Sequence, residues 1–449
     1  MKLAARPIVT LKPTLSLIDT IAIIVGVVVG ASIFETPSLV AANAGSVKIA
    51  FLTWGLGGVI SLIGALCYAE LATTYPHPGG TYYYLRRGLG SAIGFLFAWT
   101  RMSVIQTGSI ALLAFVFGDY ASQLWRLGIY SPSIYAAIAI MLLTGLNLLG
   151  VRQGKRTQNL LAVAQVAGLI LICAIGLFGV SSSAAPSLPL DGATNVTSNN
   201  IGMIMVFVLL SYGGWNEAAY ISAEVRDGSR NIVRALVWSI AIITALYLLV
   251  NLALIRGLGL SRMADSQAVV ADLMRLNMGE VGALLTSSLV AIATICSLNA
   301  TILTGARTNY ALGRDFSIFA FLGRGRESTP TNALIVQGLI ALVLVMVGTF
   351  ARQGFETMVD YTAPAFWFFF LLSGISLFVL RTREPNINRS FKVPFYPLTP
   401  LAFCGICIYM LQASLAYTGW GGLLGVIVLL LGLPLLWWTQ KFSINTGND

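Results

Sequence analysis

Two short runs of small and polar residues interrupt apolar stretches, and they are where polar chemistry can occur in this chain. The first is Gly30-Ala-Ser-Ile-Phe-Glu-Thr-Pro37, after the apolar residues 21–29. The second is Tyr212-Gly-Gly-Trp-Asn-Glu217, after the apolar residues 206–210. Glycine is a poor helix former, and proline is tolerated in a helix's first turn, so each run reads as a helix that stops and restarts. Stopping a helix in hydrocarbon frees backbone N–H and C=O groups, which cost several kcal/mol each unless a partner satisfies them. Half-helix N-termini suit a carboxylate, and half-helix C-termini and bare carbonyls suit an ammonium or a cation. A zwitterion such as an amino acid offers both groups. Glycine also permits close helix packing, and the chain has 45 glycines, so neither break means much alone. Their pairing, with Glu35 and Glu217 beside them, carries the reading. Breaks separated by five helices are also what an inverted repeat of five plus five gives, with a binding site between the repeats.

The elements that must position these breaks are membrane helices. Of 449 residues, 57% are hydrophobic and 10% charged, with mean hydropathy +0.83. A soluble domain carries about 25% charged residues, so this composition cannot cover a water-facing surface. Apolar stretches run over 15–43, 49–73, 91–118, 132–150, 158–180, 200–223, 233–256, 281–305, 332–350, 357–380, 398–416 and 420–438. Each is close to the roughly 20 residues that a helical crossing needs, and their continuity excludes an outer-membrane barrel. The first lacks a small-residue cleavage pattern, so it reads as a span and not as a leader. An even number of spans puts both ends on one side. Twenty of the 27 Lys and Arg lie on that side and six on the other, with Arg101 inside a span, so both termini are expected to be cytoplasmic. The net charge of +10 is thereby divided among short loops, with no patch to track nucleic-acid phosphates. Residues 181–200 and 257–279 form the longest external loops, the second long enough for a short helix over an entrance.

Charged groups at membrane depth are functional by default. Glu217 is read as capping the second half of the sixth span, or else as a titratable or cation-selecting carboxylate. Arg101 is read as snorkelling to the cytoplasmic surface in preference to pairing with an acid. Glu70 and Glu224 stand near the cytoplasmic ends of their spans, where Arg226 and Arg230 are candidate partners. His77, the single histidine, falls in a loop and reads as solvated. The five cysteines (Cys67, Cys173, Cys296, Cys404 and Cys407) sit in apolar segments, and Cys404-Gly-Ile-Cys407 lacks a second ligand pair, so helix packing is their expected role. No HExxH, GxSxG or phosphate loop occurs, which argues against an enzyme or a nucleotide-driven pump.

Four stretches resemble the amino acid–polyamine–organocation (APC) superfamily, and most of all its L-type amino-acid transporter branch. They are Gly30-Ala-Ser-Ile-Phe-Glu-Thr-Pro37; Gly64-Ala-Leu-Cys-Tyr-Ala-Glu-Leu71 with Pro78-Gly-Gly-Thr-Tyr82; Tyr212-Gly-Gly-Trp-Asn216 with Asn231-Ile-Val-Arg-Ala235; and Phe391-Lys-Val-Pro394. The resemblance implies an all-α polytopic membrane protein of about twelve helices. It implies a LeuT-type 5+5 inverted repeat with discontinuous helices 1 and 6, plus two peripheral helices. The expected layout is an N-tail (1–13), a first repeat (14–180), an external loop (181–199), a second repeat (200–380), a cytoplasmic loop (381–397), helices 11 and 12 (398–440) and a C-tail (441–449). By similarity, backbone around Val29, Gly30, Ala31, Ser32 and Ile33 would hold a substrate carboxylate. Carbonyls near Leu210, Ser211 and Gly213 would hold its ammonium, and Gly214 and Asn216 would line the site.

Three departures from the family pattern matter. Ser32 replaces the motif's second glycine, and Leu210 replaces the aromatic lid of many relatives. Gln165 falls where many members have a lysine, so a lysine-based proton mechanism does not carry over. Its place could instead admit a cation, with Thr294 and Ser297 as oxygen donors. The expected function is a secondary carrier of amino acids, neutral ones first, by exchange or cation coupling across the plasma membrane. Cationic amino acids or polyamines are the alternative, and a sensor that binds without flux is an alternative of another class. No cofactor or metal is expected, with Na⁺ or H⁺ coupling left open. The expected partners are the amino-acid substrate and the lipid bilayer, with no nucleic acid and an accessory subunit left open.

Overall fold

Helix ends in this chain are set by local signals that hydrocarbon cannot supply. The computed structural model describes residues 15–30, 32–77, 79–148, 155–179, 198–324, 330–350, 354–417 and 420–445. Helix α1 (Leu17–Val28) opens on a capping box in which the Ser16 side chain accepts from Asp19 N and Asp19 reaches back to Ser16 N, satisfying two donors that a helix start leaves free. It stops at Val29 and Gly30, and α2 (Ser32–Ala44) continues the crossing at a bend of 48°. Helix α3 (Val47–Thr74) is capped by Ser46 and followed by the amphipathic surface helix α4 (Gly80–Leu89). The third crossing is α5 (Ser91–Thr100), a π-helical turn at Arg101–Ile105, and α6 (Gln106–Leu124). Helices α7 (Ser131–Leu148) and α8 (Lys155–Phe178) complete the first half.

The second half starts with another bent crossing. Helix α9 (Ser198–Ser211) stops before Tyr212, and after Gly213 and Gly214 a half-helix built around α10 (Ala218–Ile221) runs on at 41°. Helix α11 (Gly228–Leu258) leads to the short α12 (Leu260–Ala264). Helix α13 (Val269–Asp315) turns sharply at Gly279, where φ is 66°, so it is a short helix joined to a long crossing. Helices α14 (Thr331–Phe350), α15 (Gly354–Arg383), α16 (Leu398–Tyr417), α17 (Trp420–Leu430) and α18 (Gly432–Asn445) follow. Among the described residues, nine helices are long and apolar enough to cross a membrane, and eleven crossings result when each bent pair counts as one. Helix α8 holds the fifth position, with Gln165–Phe178 as its apolar part. Each of the twelve expected stretches is thus mainly helical among its described residues. The sequence reading missed the π turn, the extension of the eighth crossing to Asp315 and the interruption at Leu431. Helix α12 and the first turns of α13 lie in 257–279, where one short helix is expected.

The core is a knot of aromatic rings around the breaks. Trp54, Tyr212 and Tyr247 pack with centroids 5.0–6.3 Å apart, and Trp215 stacks on Phe370 at 5.4 Å with Tyr68 edge-on. Gly64 makes room for this stack: a Cβ there would stand 2.9 Å from the Trp215 ring and 2.7 Å from Phe403. On the outer faces, Leu142, Leu339, Val343 and Met346 are exposed, as lipid contact requires.

One buried charge fixes the end of the bundle that α4 covers. Glu70, 3% exposed at its side chain, accepts from Arg381 Nε at 2.7 Å and from Val393 N at 2.7 Å, with Arg389 at 3.5 Å. Desolvating such charges costs several kcal/mol per ion, which these converging donors offset. Glu70 therefore ties α3 to α15 and to the segment before α16. The expectation that Arg226 or Arg230 would be its partner is corrected: they follow the sixth crossing, whereas Arg381 of α15 and Arg389 beyond its end reach the carboxylate. Helix α4 is held by Arg86 and Tyr82 on Asp315 and by Arg87 on Glu384. His77 is not simply solvated. It is half-buried and stacks on Tyr83 at 4.1 Å, and this burial lowers its pKa below the ordinary imidazole value.

Candidate functional site

The two breaks face each other. Gly214 adopts φ +111°, a left-handed conformation that an L side chain rarely takes, and a Cβ there would stand 2.9 Å from Val27 and 3.3 Å from Val28. The restart of the sixth crossing is thus pressed against the C-terminus of α1. Val29 is fully buried, and Gly30 N turns back to Val28 O at 2.6 Å. Ala31 lies outside the described residues. Ser32 and Ile33 open α2, in the first turn, where backbone N–H groups have no partner within the helix, and Ile33 is buried.

The carbonyls that end α1 and α9 are held by side chains from other helices. Tyr247 of α11 lies with its hydroxyl 2.9 Å from Val28 O and 2.8 Å from Ser211 O. A phenol has one proton to donate, so this hydroxyl serves both half-helix ends. Gln165 of α8 donates its amide to Val29 O. Ser211 Oγ donates to Thr36 Oγ1 at 2.8 Å, joining α9 to α2, while Leu210 O accepts from Gly213 N at 2.8 Å. Tyr212 donates to Trp54 O at 3.0 Å. The described residues of the expected cradle, Val29, Gly30, Ser32 and Ile33 with 210–216, therefore lie together, and Val28 O, Val29 O and Ser211 O accept from neutral side-chain donors. Asn216 is 6% exposed, with Oδ1 buried and unpartnered.

The coupling candidates divide. Gln165 sits at the first break as a neutral donor, where an amide can satisfy the carbonyl without titrating. Ser297 Oγ, buried and unpartnered, is 4.0 Å from where a Cβ on Gly30 would stand. Thr294 instead turns its hydroxyl proton to Val290 O of its own helix at 2.7 Å. Glu217 makes no capping hydrogen bond at the restart; it pairs with Arg101, whose Nη2 is 3.1 and 3.2 Å from its two carboxylate oxygens. Arg101 does not snorkel. The π turn keeps it in the bundle interior at 3% exposure, and the pair offsets a desolvation that snorkelling would have avoided. The sequence reading missed Tyr247, Thr36 and Trp54. A lone tyrosine in the leucine-rich run 246–249 is the one signal that could have singled out Tyr247.

The arrangement sets two helix breaks, with the peptide dipoles of their half-helices, against each other. A family model described as amino acid permease matches residues 15–442. The chain is 29% identical to the b(0,+)-type amino acid transporter 1 of Mus musculus, over 97% of this chain and 91% of that protein, with the same identity and coverage for the Homo sapiens protein. It is also 29% identical to the Large neutral amino acids transporter small subunit 2 of Mus musculus, over 96% of this chain and 83% of that protein. The chain therefore belongs to the amino acid permease family of the APC superfamily, and is a multi-pass membrane carrier of amino acids, not an enzyme.

Proposed function

We propose that this carrier moves neutral L-amino acids by alternating access around the two breaks, across the plasma membrane, with both termini cytoplasmic. The observation that carries the reading is the meeting of the breaks, with Tyr247 serving Val28 O and Ser211 O at once. A substrate ammonium arriving there exchanges with the phenolic proton, and its carboxylate takes the free N–H groups at the start of α2. Residues 14–180 and 200–380 act as the two repeats that rock about this point. The preference for neutral side chains is supported by Arg101, which neutralises Glu217, the residue that favoured the cationic alternative. Gln165 supports a cycle without proton coupling at that position, because an amide does not titrate.

The test is purified protein in liposomes, assayed for amino-acid counterflow against a substrate panel, with and without Na⁺ and proton gradients. Saturable counterflow of neutral amino acids is expected, unchanged by external pH alone, abolished by Asn216→Ala with the fold kept, and abolished by Gly214→Leu, whose side chain presses on Val27. Binding without flux would make the protein a sensor, and normal flux in both variants would remove the sixth crossing from the site. Some relatives are named as small subunits; flux by the chain alone in this assay would mean that no accessory chain is required here.

A further inference from the structure

Arg101 touches none of the cradle carbonyls, yet the third crossing gives up helical regularity to bring it inside. Gln106 N reaches five residues back to Arg101 O, closing a π turn, a feature that inserts one residue into a helix and is frequent at functional positions. The guanidinium carbon lies 4.5 Å above the Tyr220 ring, and Nη2 faces the Glu217 carboxylate. A carboxylate beside an aromatic face, away from water, is the chemistry that binds alkylammonium and guanidinium groups. Here the occupant is the protein's own side chain, and it fits loosely. A fork-to-fork pair would present two nitrogens to the carboxylate, whereas one does so here and Nε is buried without a partner. Glu217 follows Asn216 directly in the half-helix that restarts at the second break. The Glu217 side chain is 25% exposed and that of Arg101 only 4%, so the box is more accessible from the carboxylate side. The other titratable groups that face the pair are the phenols of Tyr220, on the same half-helix, and Tyr68 of α3.

We propose that Arg101 is a specificity-determining residue of the carrier: its guanidinium fills a cation subsite formed by Glu217 and Tyr220, so neutral side chains are carried while ammonium and guanidinium side chains are excluded. This rests on the carrier reading above and names the basis of its selectivity. Removing the guanidinium opens the subsite to a substrate that brings its own.

The test is leucine counterflow in liposomes with L-arginine as competitor, for wild type, Arg101→Ala, Arg101→Lys and the double variant Arg101→Ala with Glu217→Gln. Wild type is expected to ignore a large excess of L-arginine. In Arg101→Ala, L-arginine becomes a competitor by about tenfold or more, and millimolar methylguanidinium restores leucine flux by refilling the box. Arg101→Lys keeps a cation in place and continues to exclude L-arginine, and the double variant loses the gain because the carboxylate is gone. The proposal is overturned if wild type carries L-arginine as well as leucine. It is equally overturned if a monodisperse Arg101→Ala protein carries leucine with no gain toward L-arginine. Should Arg101→Ala fail to fold, L-arginine competing in Arg101→Lys as weakly as in wild type supports the proposal, and competing strongly overturns it. Absence of any amino-acid flux in wild type brings down the carrier reading itself, a separate result from either of these.

Discussion

Tyr247 has a single proton and two carbonyl neighbours, and that stoichiometry makes it exchangeable. Val28 O already accepts from Gly30 N at 2.6 Å, so a substrate ammonium need displace only the one bond that the phenol can make. In Tyr247→Phe Ser211 O loses its side-chain donor while Val28 O keeps Gly30 N, and a buried unsatisfied carbonyl costs about 1–3 kcal/mol. Counterflow is expected to fall by about tenfold or more, since 1.4 kcal/mol is a factor of ten, while size-exclusion elution stays that of wild type. Unchanged rates would mean that the phenol plays no part in the site. None of this was legible in the sequence. Hydropathy counts a tyrosine in a leucine run as apolar, and its partners stand 219 and 36 residues away. Glycine 30, Gly213 and Gly214 were legible because their effect on a helix is local.

At the scale of elements, the bent crossings are held by close contact with their neighbours. Helix α3 approaches the restart of the sixth crossing at Gly64, where Trp215 and Phe403 leave no space for a side chain. Gly64→Val therefore forces the Trp215 ring off Phe370. Overpacking of this kind costs about 1–3 kcal/mol, and the expected result is a lowered melting temperature together with reduced flux, read by thermal unfolding in detergent and by counterflow. A melting temperature equal to wild type would show that the ring can move aside freely. Nothing in the residue order announces this contact beyond a small residue in a helix, because a glycine marks close approach without naming what approaches. The π turn at Arg101–Ile105 was equally silent, since no residue type demands it.

For the whole molecule, the ranking of ion pairs follows burial. Arg275 and Glu280 pair at 2.9 Å, but Glu280 is 73% exposed, and such pairs contribute roughly 0–1 kcal/mol. Glu70 is buried and receives Arg381, Arg389 and a backbone N–H, so its loss strands buried cations. Glu70→Gln is expected to destabilise the fold by about 3–5 kcal/mol, and Glu280→Gln to leave the melting temperature nearly unchanged. Equal effects of the two in thermal unfolding would mean that the Glu70 cluster does not hold α15 and the segment before α16 to α3.

Residue order alone is enough to place the chain in a membrane, to locate its helices and to mark the two points where they break. Each of these follows from hydropathy and helix propensity, which act within a few residues and need no knowledge of neighbours. What answers the breaks and the buried charges emerges when the helices pack: Tyr247 and Gln165 for the carbonyls, Arg101 for Glu217, and Arg381 for Glu70. Those choices depend on how each helix is rotated about its axis and which helix lies beside it. In an apolar crossing hydrophobic residues surround the helix on every side, so no periodicity records that rotation.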